Sequence, residues 1–432
     1  MSVRVAADEA THLTLDLLES LIPAEARQQV GIRLWDGTRW PDEAPRPATL
    51  VLKHPGALRA MFIPGTEVGL GEAYLYDDFD IEGSAEAVFA LADAFTNGGP
   101  GWQKKLRAGA ELARLPAARR TAKPRRGPAR LSGRKHSVER DRQAVTYHYD
   151  VSNDFYSLWL DKRMVYSCAY FQSAQDSLDA AQEHKLDLIC RKLRLKPGQK
   201  LLDLGCGWGG LILYAAQHYG VDATGITLSQ PQADLANERI RLAGLSDRCR
   251  ALVQDYREVP ADDTHFYDAL VSVGMFEHVG AVKLPGYFAR AWQLLKPGGI
   301  FLNHGIAIRM DQQEAGSGPS FSEAYVFPDG ELVPISTSLN AAEQAGFEVR
   351  DVESLREHYA LTLRQWVRRL EAHHQEALKY VDEPTYRVWR LYMSGSAYGF
   401  SMGRLNVYQS LLVKQDAQGR SGLPLARSDW YA

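Results

Sequence analysis

Leu201-Leu202-Asp203-Leu204-Gly205-Cys206-Gly207-Trp208-Gly209-Gly210 is the stretch that decides the fold. Four residues of an apolar strand run into a turn holding four glycines, and LILYAAQHYG follows with apolar residues at helical spacing. Glycine has no Cβ, so such a turn can pass tightly from strand to helix and let the backbone approach a nucleotide. Downstream, DATGITLS, QADLANERIRLAG, ALVQDY, DALVSVGMF, YFARAWQLLKPGG and IFLNHGIAI alternate strand and helix character. Strands and helices of this length in alternation predict a doubly wound, mainly parallel α/β sheet with helices on both faces. A ligand of such a sheet sits at the carboxyl ends of its strands.

Taken literally, Gly205, Gly207 and Gly210 satisfy a dinucleotide pattern. An acidic residue should then grip a ribose about 20 residues on. GITLSQPQ stands there instead, and Asp203 precedes the first glycine, which favours a methyltransferase over an NAD or FAD enzyme.

Upstream, short alternating runs between Gly31 and Gly83 (IRLW, ATLVL, LRAMF, AYLYDDFDI) predict a small α+β domain after an opening amphipathic helix. The chain of 432 residues is long enough for two or three domains. We expect boundaries at 1–102 for the small domain, 103–142 for a linker and 143–432 for the catalytic domain with a helical cap. From Lys104 to Arg142 there are 14 Lys/Arg against Glu111, Glu139 and Asp141, a net of 14 − 3 = +11, although the whole chain is at −3. That stretch, broken by Pro116, Pro124 and Pro128, reads either as a solvated tether or as a segment lying on anionic lipid headgroups. It carries no nucleic-acid recognition motif.

No window approaches the ~18 apolar residues of a membrane span, and the N-terminus lacks a basic-then-apolar leader. Cys168, Cys190, Cys206 and Cys249 have no metal-ligand spacing and are too sparse for a disulfide framework. These features predict a cytoplasmic protein without a metal.

HYDVSNDFY, MVYSCAYF, the glycine loop, GITLSQPQ, QDYRE, VSVGMFEHVG, VFPDGEL and HYALTLRQW occur in one order across Val145 to Lys414. Together they resemble the cyclopropane-fatty-acyl-phospholipid synthase family of S-adenosylmethionine-dependent methyltransferases. The resemblance implies a seven-stranded-type sheet and a small lipid-binding domain at the N-terminus, with the protein peripheral on the inner face of the membrane. It implies a cofactor site of Ser167, Gly205, Gly207, Gly209, Thr227, Leu228, Gln232, Asp255 and Tyr256. It also implies a bicarbonate ion as base, held by Cys168, Glu277, His304, Ile306 (through its backbone) and Tyr359.

Each residue has a plainer alternative. Cys168 could be a small buried hydrophobe, Glu277 a helix cap and His304 a satisfied core residue. We expect His278 to be structural, and Tyr149, Phe155, Tyr156, Tyr166, Tyr170 and Phe171 to be mostly core and acyl-channel wall.

Family members differ in product. The complete base set puts first a cyclopropane ring on an unsaturated phospholipid acyl chain. NHGIAIR, YVFPDGELVP, HYALTLRQW, VWRLYM and LPLARSDWY look at least as much like methylene-forming relatives, whose product needs a separate reductase. A non-catalytic lipid-binding protein would be expected to lose the glycines, Glu277 or His304, and none is lost. The family also allows a homodimer.

Overall fold

The structure is a computed structural model that describes residues 2–97, 102–118, 126–149, 151–261, 266–312 and 319–431. Packing divides the chain into two units. The smaller comprises Met1–Pro128, Gly316–Val326 and His374–Tyr398; the larger comprises Ala129–Ala315, Phe327–His373 and Gly399–Ala432.

In the smaller unit, strands β1 (Val30–Arg33), β2 (Arg39–Trp40), β3 (Ala48–Leu52) and β4 (Phe79–Gly83) form one sheet in the order β2-β1-β3-β4. Leu17, Ile32, Leu50, Leu52 and Ile81 are buried in its core. The expected partition at 102 and 142 differs from the observed one because distant segments fold back here. The Tyr325 hydroxyl donates to Glu72 Oε1 at 2.8 Å, and a Cβ on Gly71 would stand 2.3 Å from the Phe321 ring. Arg387 donates to the Tyr74 carbonyl, and Arg390 donates to the Tyr74 hydroxyl and to the carbonyls of Ile81 and Gly83.

The expected linker is likewise shorter than 103–142. Trp102–Arg114 is helical, Leu112 and Leu115 are buried, and Arg59 donates to the Leu115 carbonyl at 2.7 Å. At its other end Val138–Tyr149 is a helix of the larger unit, where Arg140 pairs with Asp329. Residues 119–125, within the expected tether, lie outside the described residues.

The larger unit carries β5 (Lys200–Leu204), β6 (Asp222–Thr227), β7 (Cys249–Val253), β8 (Tyr267–Val273), β9 (Leu295–Ile308), β10 (Glu348–Ser354) and β11 (Leu405–Val413), in the order β10-β11-β9-β8-β5-β6-β7. Strands β5 to β9 pair in parallel, whereas β11 runs antiparallel to both β9 and β10. Because side chains alternate along a strand, Leu201, Val271, Leu302 and Leu411 pack with one helix layer while Leu202, Leu204, Leu270, Phe301 and Leu412 pack with the other. The doubly wound sheet expected from the strand-helix alternation is therefore present. It brings the carboxyl ends of β5, β6, β8 and β9 to one edge.

Candidate active site

At that edge β5 ends in Gly205, whose φ of +98° is a conformation side chains rarely adopt. The amides of Gly205 and Cys206 both donate to the Ile226 carbonyl at 3.0 and 2.8 Å, tying the turn to β6. A Cβ on Gly205 would also lie 2.8 Å from Met275 Cβ. Gly209 caps the helix Gly210–Tyr219 with φ +77°.

A cleft opens over this turn. Of the nine predicted cofactor residues, Ser167, Gly205, Gly207, Thr227, Leu228, Gln232, Asp255 and Tyr256 line it, and Gly209 does not. Gly209 instead packs on the neighbouring helix, where its Cβ would come within 2.9 Å of Ala236 Cβ. The polar members are already oriented by one another. The Thr227 hydroxyl donates to Gln232 Oε1 at 2.7 Å, which leaves the amide nitrogen of Gln232 as its free donor. Arg257 grips both oxygens of Asp255 at 2.7 and 2.6 Å and reaches Asp141 at 3.0 Å.

Several lining residues were not singled out in the sequence, namely Asp141, Lys185, Trp208 and Arg257, and Asp203, which had been, joins them. Lys185 is buried on the helix Leu178–Lys192 and donates to Ser167 Oγ at 3.0 Å. Burial lowers it to about 8, against the opposing pull of Asp161, Cys168 and Asp203. Asp203 is pushed up to about 7 by burial, and its Oδ1 has no hydrogen-bond partner. Trp208 Nε1 donates to Asn153 Oδ1 at 2.8 Å. His278 lines the cleft as well, stacked on Phe327 at 4.6 Å and lowered to about 4 by burial and then by His136.

None of the five residues predicted for the base lines this cleft. Glu277 lies in a short turn beyond β8, and its Oε1 accepts the Ile306 N–H at 2.7 Å, so it bridges to β9 and does not cap a helix. Its Oε2 is buried without a partner, and burial pushes the carboxyl up to about 7. The N–H of Ile306, whose backbone is a predicted holder of the anion, is thus engaged by Glu277. His304 stands two residues earlier on β9, with Nδ1 3.2 Å from the Gln409 side-chain nitrogen and Nε2 buried without a partner. Burial, then Lys185 and Lys192, hold its ring well below the usual imidazole range.

Cys168 is fully buried, its thiol pushed up by burial, and Sγ faces the carbonyls of Ala169 and Leu355 at 3.2 and 3.7 Å. It is therefore a neutral thiol. The Ala169 amide donates to Thr362 Oγ1 at 3.0 Å, which fixes this segment against the helix Arg356–Ala372 that carries Tyr359. Tyr359 meets Trp366, and Trp366 meets Tyr166 of the cleft, at ring separations of 6.0 and 5.2 Å. Phe155 and Tyr156 are fully buried core, as expected. Glu277 and Ile306 are thus bonded directly, Cys168 and His304 share the field of Lys185, and Tyr359 connects to the cleft through aromatic rings.

Comparison with known proteins identifies the family. Residues 136–410 match the family described as mycolic acid cyclopropane synthetase. A probable fatty acid methyltransferase of Pseudomonas putida is 41% identical over 93% of this chain and 95% of its own length. The cyclopropane-fatty-acyl-phospholipid synthase of Escherichia coli K12 is 38% identical over 61% of this chain and 65% of its own. Among solved structures, the mycolic acid cyclopropane synthase CmaA1 complexed with SAH and CTAB superposes with a TM-score of 0.59 at 34% identity, over 63% of this chain and 97% of that one.

Proposed function

The chain belongs to the mycolic acid cyclopropane synthetase family, and on that premise we propose that it moves the methyl carbon of S-adenosylmethionine onto the cis double bond of an unsaturated phospholipid acyl chain and closes a cyclopropane ring. The cleft suits a sulfonium donor. It presents the unpartnered Asp203 Oδ1 and the rings of Tyr149, Tyr166, Trp208 and Tyr256, while Asp141 and Asp255 are paired with Arg257. Aromatic faces attract cations, and the site needs no helix N-terminus aimed at a pyrophosphate.

An alkene is a weak nucleophile, so holding methyl and double bond in line is the first requirement. The second is a proton acceptor that does not itself capture the carbocation. Bicarbonate would supply that acceptor. The residues fit it: Glu277 Oε2 and His304 Nε2 are both buried and unpartnered. Each such group costs about 1–3 kcal/mol if left so, and an ion with one hydroxyl and two further oxygens offers a donor to the carboxylate oxygen and acceptors to a ring N–H. This pair of unpartnered atoms is the observation that carries the reading. With Glu277 near 7, a carboxyl that shares a proton with an anion is already half prepared.

A second product has specific support. The Pseudomonas relative, which matches over nine-tenths of this chain, is named a fatty acid methyltransferase, whereas the named cyclopropane synthase of Escherichia coli matches 61%. The same methyl transfer with a different proton lost would leave a methylene branch for a separate reductase to saturate. Among the described residues no helix is long and apolar enough to cross a membrane. Access to phospholipid would then come through the small unit and the basic stretch, resting on an anionic surface.

The test is to incubate protein, S-adenosylmethionine and oleoyl-phospholipid vesicles and to analyse the acyl chains by fragmentation mass spectrometry. A saturated three-membered ring supports the synthase reading. A retained exocyclic double bond selects the methylene reading, and the absence of any CH2 gain refutes both.

A further inference from the structure

Behind His304 lies a buried row of polar groups that meets neither the cleft nor the unpartnered Glu277 oxygen. Glu353, on β10, pairs with Lys192 at the end of the helix Leu178–Lys192. Lys192 Nζ donates to Gln409 Oε1 at 2.8 Å, and Gln409, opposite His304 in the β9–β11 ladder, sets its Nε2 3.2 Å from His304 Nδ1. Lys192, Gln409 and His304 are all buried.

Hydrogen-bond chemistry orders this row from one end to the other. An ammonium paired with a carboxylate can only donate, so the oxygen of the Gln409 amide must face Lys192. The amide nitrogen must then face His304, and an amide nitrogen also only donates. His304 Nδ1 therefore has to present its lone pair. The single proton of a neutral imidazole is left on Nε2, the atom without a partner.

We propose that Lys192 and Gln409 are positioning residues that fix His304 as the neutral tautomer protonated on Nε2, which makes it a hydrogen-bond donor to the base anion and not a base itself. The role toward an anion rests on the bicarbonate reading above; the placement of the proton does not. The positive charges of Lys185 and Lys192, together with burial, act in the same direction by disfavouring an imidazolium.

The experiment is nitrogen NMR of the full chain labelled with 15N-histidine, with the His304 signals identified by their loss in His304→Gln. Wild type at pH 7 should show a protonated Nε2 and an unprotonated Nδ1. Gln409→Glu offers His304 an acceptor where it had a donor, and should move the proton to Nδ1. kcat should fall about 10- to 100-fold, by analogy with the partners behind metal-ligating histidines, while KM for S-adenosylmethionine stays unchanged. Should that variant fail to fold, Lys192→Met frees the amide to turn and should give a mixture of both tautomers. A wild-type His304 protonated on Nδ1, or a tautomer that neither substitution moves, overturns the proposal. Turnover in CO2-depleted buffer with and without added bicarbonate reports separately on the anion. Indifference to bicarbonate would remove the proposed base while leaving the proton assignment to be judged on the NMR alone.

Discussion

Glu277→Gln should make the apo protein more stable than wild type at alkaline pH while removing most of its turnover. Burial raises the wild-type carboxyl from 4.5 to about 7, and the Ile306 N–H bond, which pulls the other way, only partly offsets it. A carboxyl raised in the folded state binds its proton more tightly there than in the unfolded chain. Its contribution to stability is thus fully present below the unfolded value of 4.5 and is lost as pH rises through about 7. The gap between those values corresponds to about 3 kcal/mol once both states are ionised. Roughly 2 kcal/mol of it is lost between about pH 5.5 and pH 8. Glutamine does not titrate, yet it keeps an oxygen that can accept the Ile306 amide.

Thermal unfolding of both proteins in CO2-free buffer at those two pH values measures the effect. The melting temperature of the variant should gain a few degrees on wild type as pH rises. Asp203, also raised to about 7, is common to both proteins and cancels in the difference. Parallel pH dependences would refute the argument, because Glu277 would then be ionised at no cost. Turnover should fall about 10²- to 10⁴-fold, the range for loss of a proton-transfer group. Cofactor affinity should hold, since Glu277 does not line the cleft.

Gly305→Ala would place a Cβ 1.8 Å from the Phe276 ring, which must move and carry its neighbour Glu277 with it. Overpacking of this kind costs about 1–3 kcal/mol, and denaturant unfolding together with kcat should register both losses; an active variant of unchanged stability would contradict the packing. Lys185→Met removes the charge-assisted bond to Ser167, so kcat/KM for S-adenosylmethionine should fall about 10- to 100-fold, the range that ~1.5–3 kcal/mol for such a bond implies. Because burial lowers Lys185 to about 8, the wild-type kcat/KM profile should decline above that pH, and the variant should lack the decline. The stretch Lys104–Arg142, at +11, should bring the protein down with anionic vesicles at low salt and release it at high salt; salt-independent failure to bind would tell against a bilayer substrate.

What was legible in the sequence is what chain-local chemistry dictates. Strand-helix alternation gives the doubly wound sheet, and contiguous motifs at strand ends place eight of the nine cofactor residues on the cleft. Gly209 stands apart from the other eight, because a glycine in such a loop can serve helix packing as readily as a ligand. The unit boundaries were not readable, since Phe321, Tyr325, Arg387 and Arg390 meet residues some 250 to 316 positions away. Lys185 was missed for a different reason: a lysine in an amphipathic helix usually reads as a solvated face. A signal did exist. Leu178, Ala181, Lys185, Ile189 and Lys192 follow one helical stripe, and all five are buried, so two lysines interrupt an apolar face with charge.

Those two lysines explain how an otherwise apolar core can hold the corner of Glu277 and His304 in place. Along β9, His304 supplies a side chain, Gly305 leaves room for Phe276, and Ile306 supplies an amide to Glu277. Because side chains alternate along a strand, His304 and Ile306 share a face, whereas the phenyl ring fills the space on the other at Gly305. Glu277 is thereby pinned by a backbone atom and His304 by Gln409, and neither depends on a mobile loop for its orientation. Lys192 anchors the second of these from behind, and Lys185 ties the cleft to the same corner through Ser167. A site built this way pays for its polar atoms with buried charge, and Glu277 Oε2 and His304 Nε2, which it leaves unpartnered along with Asp203 Oδ1, are then places where a bound ion would recover the cost.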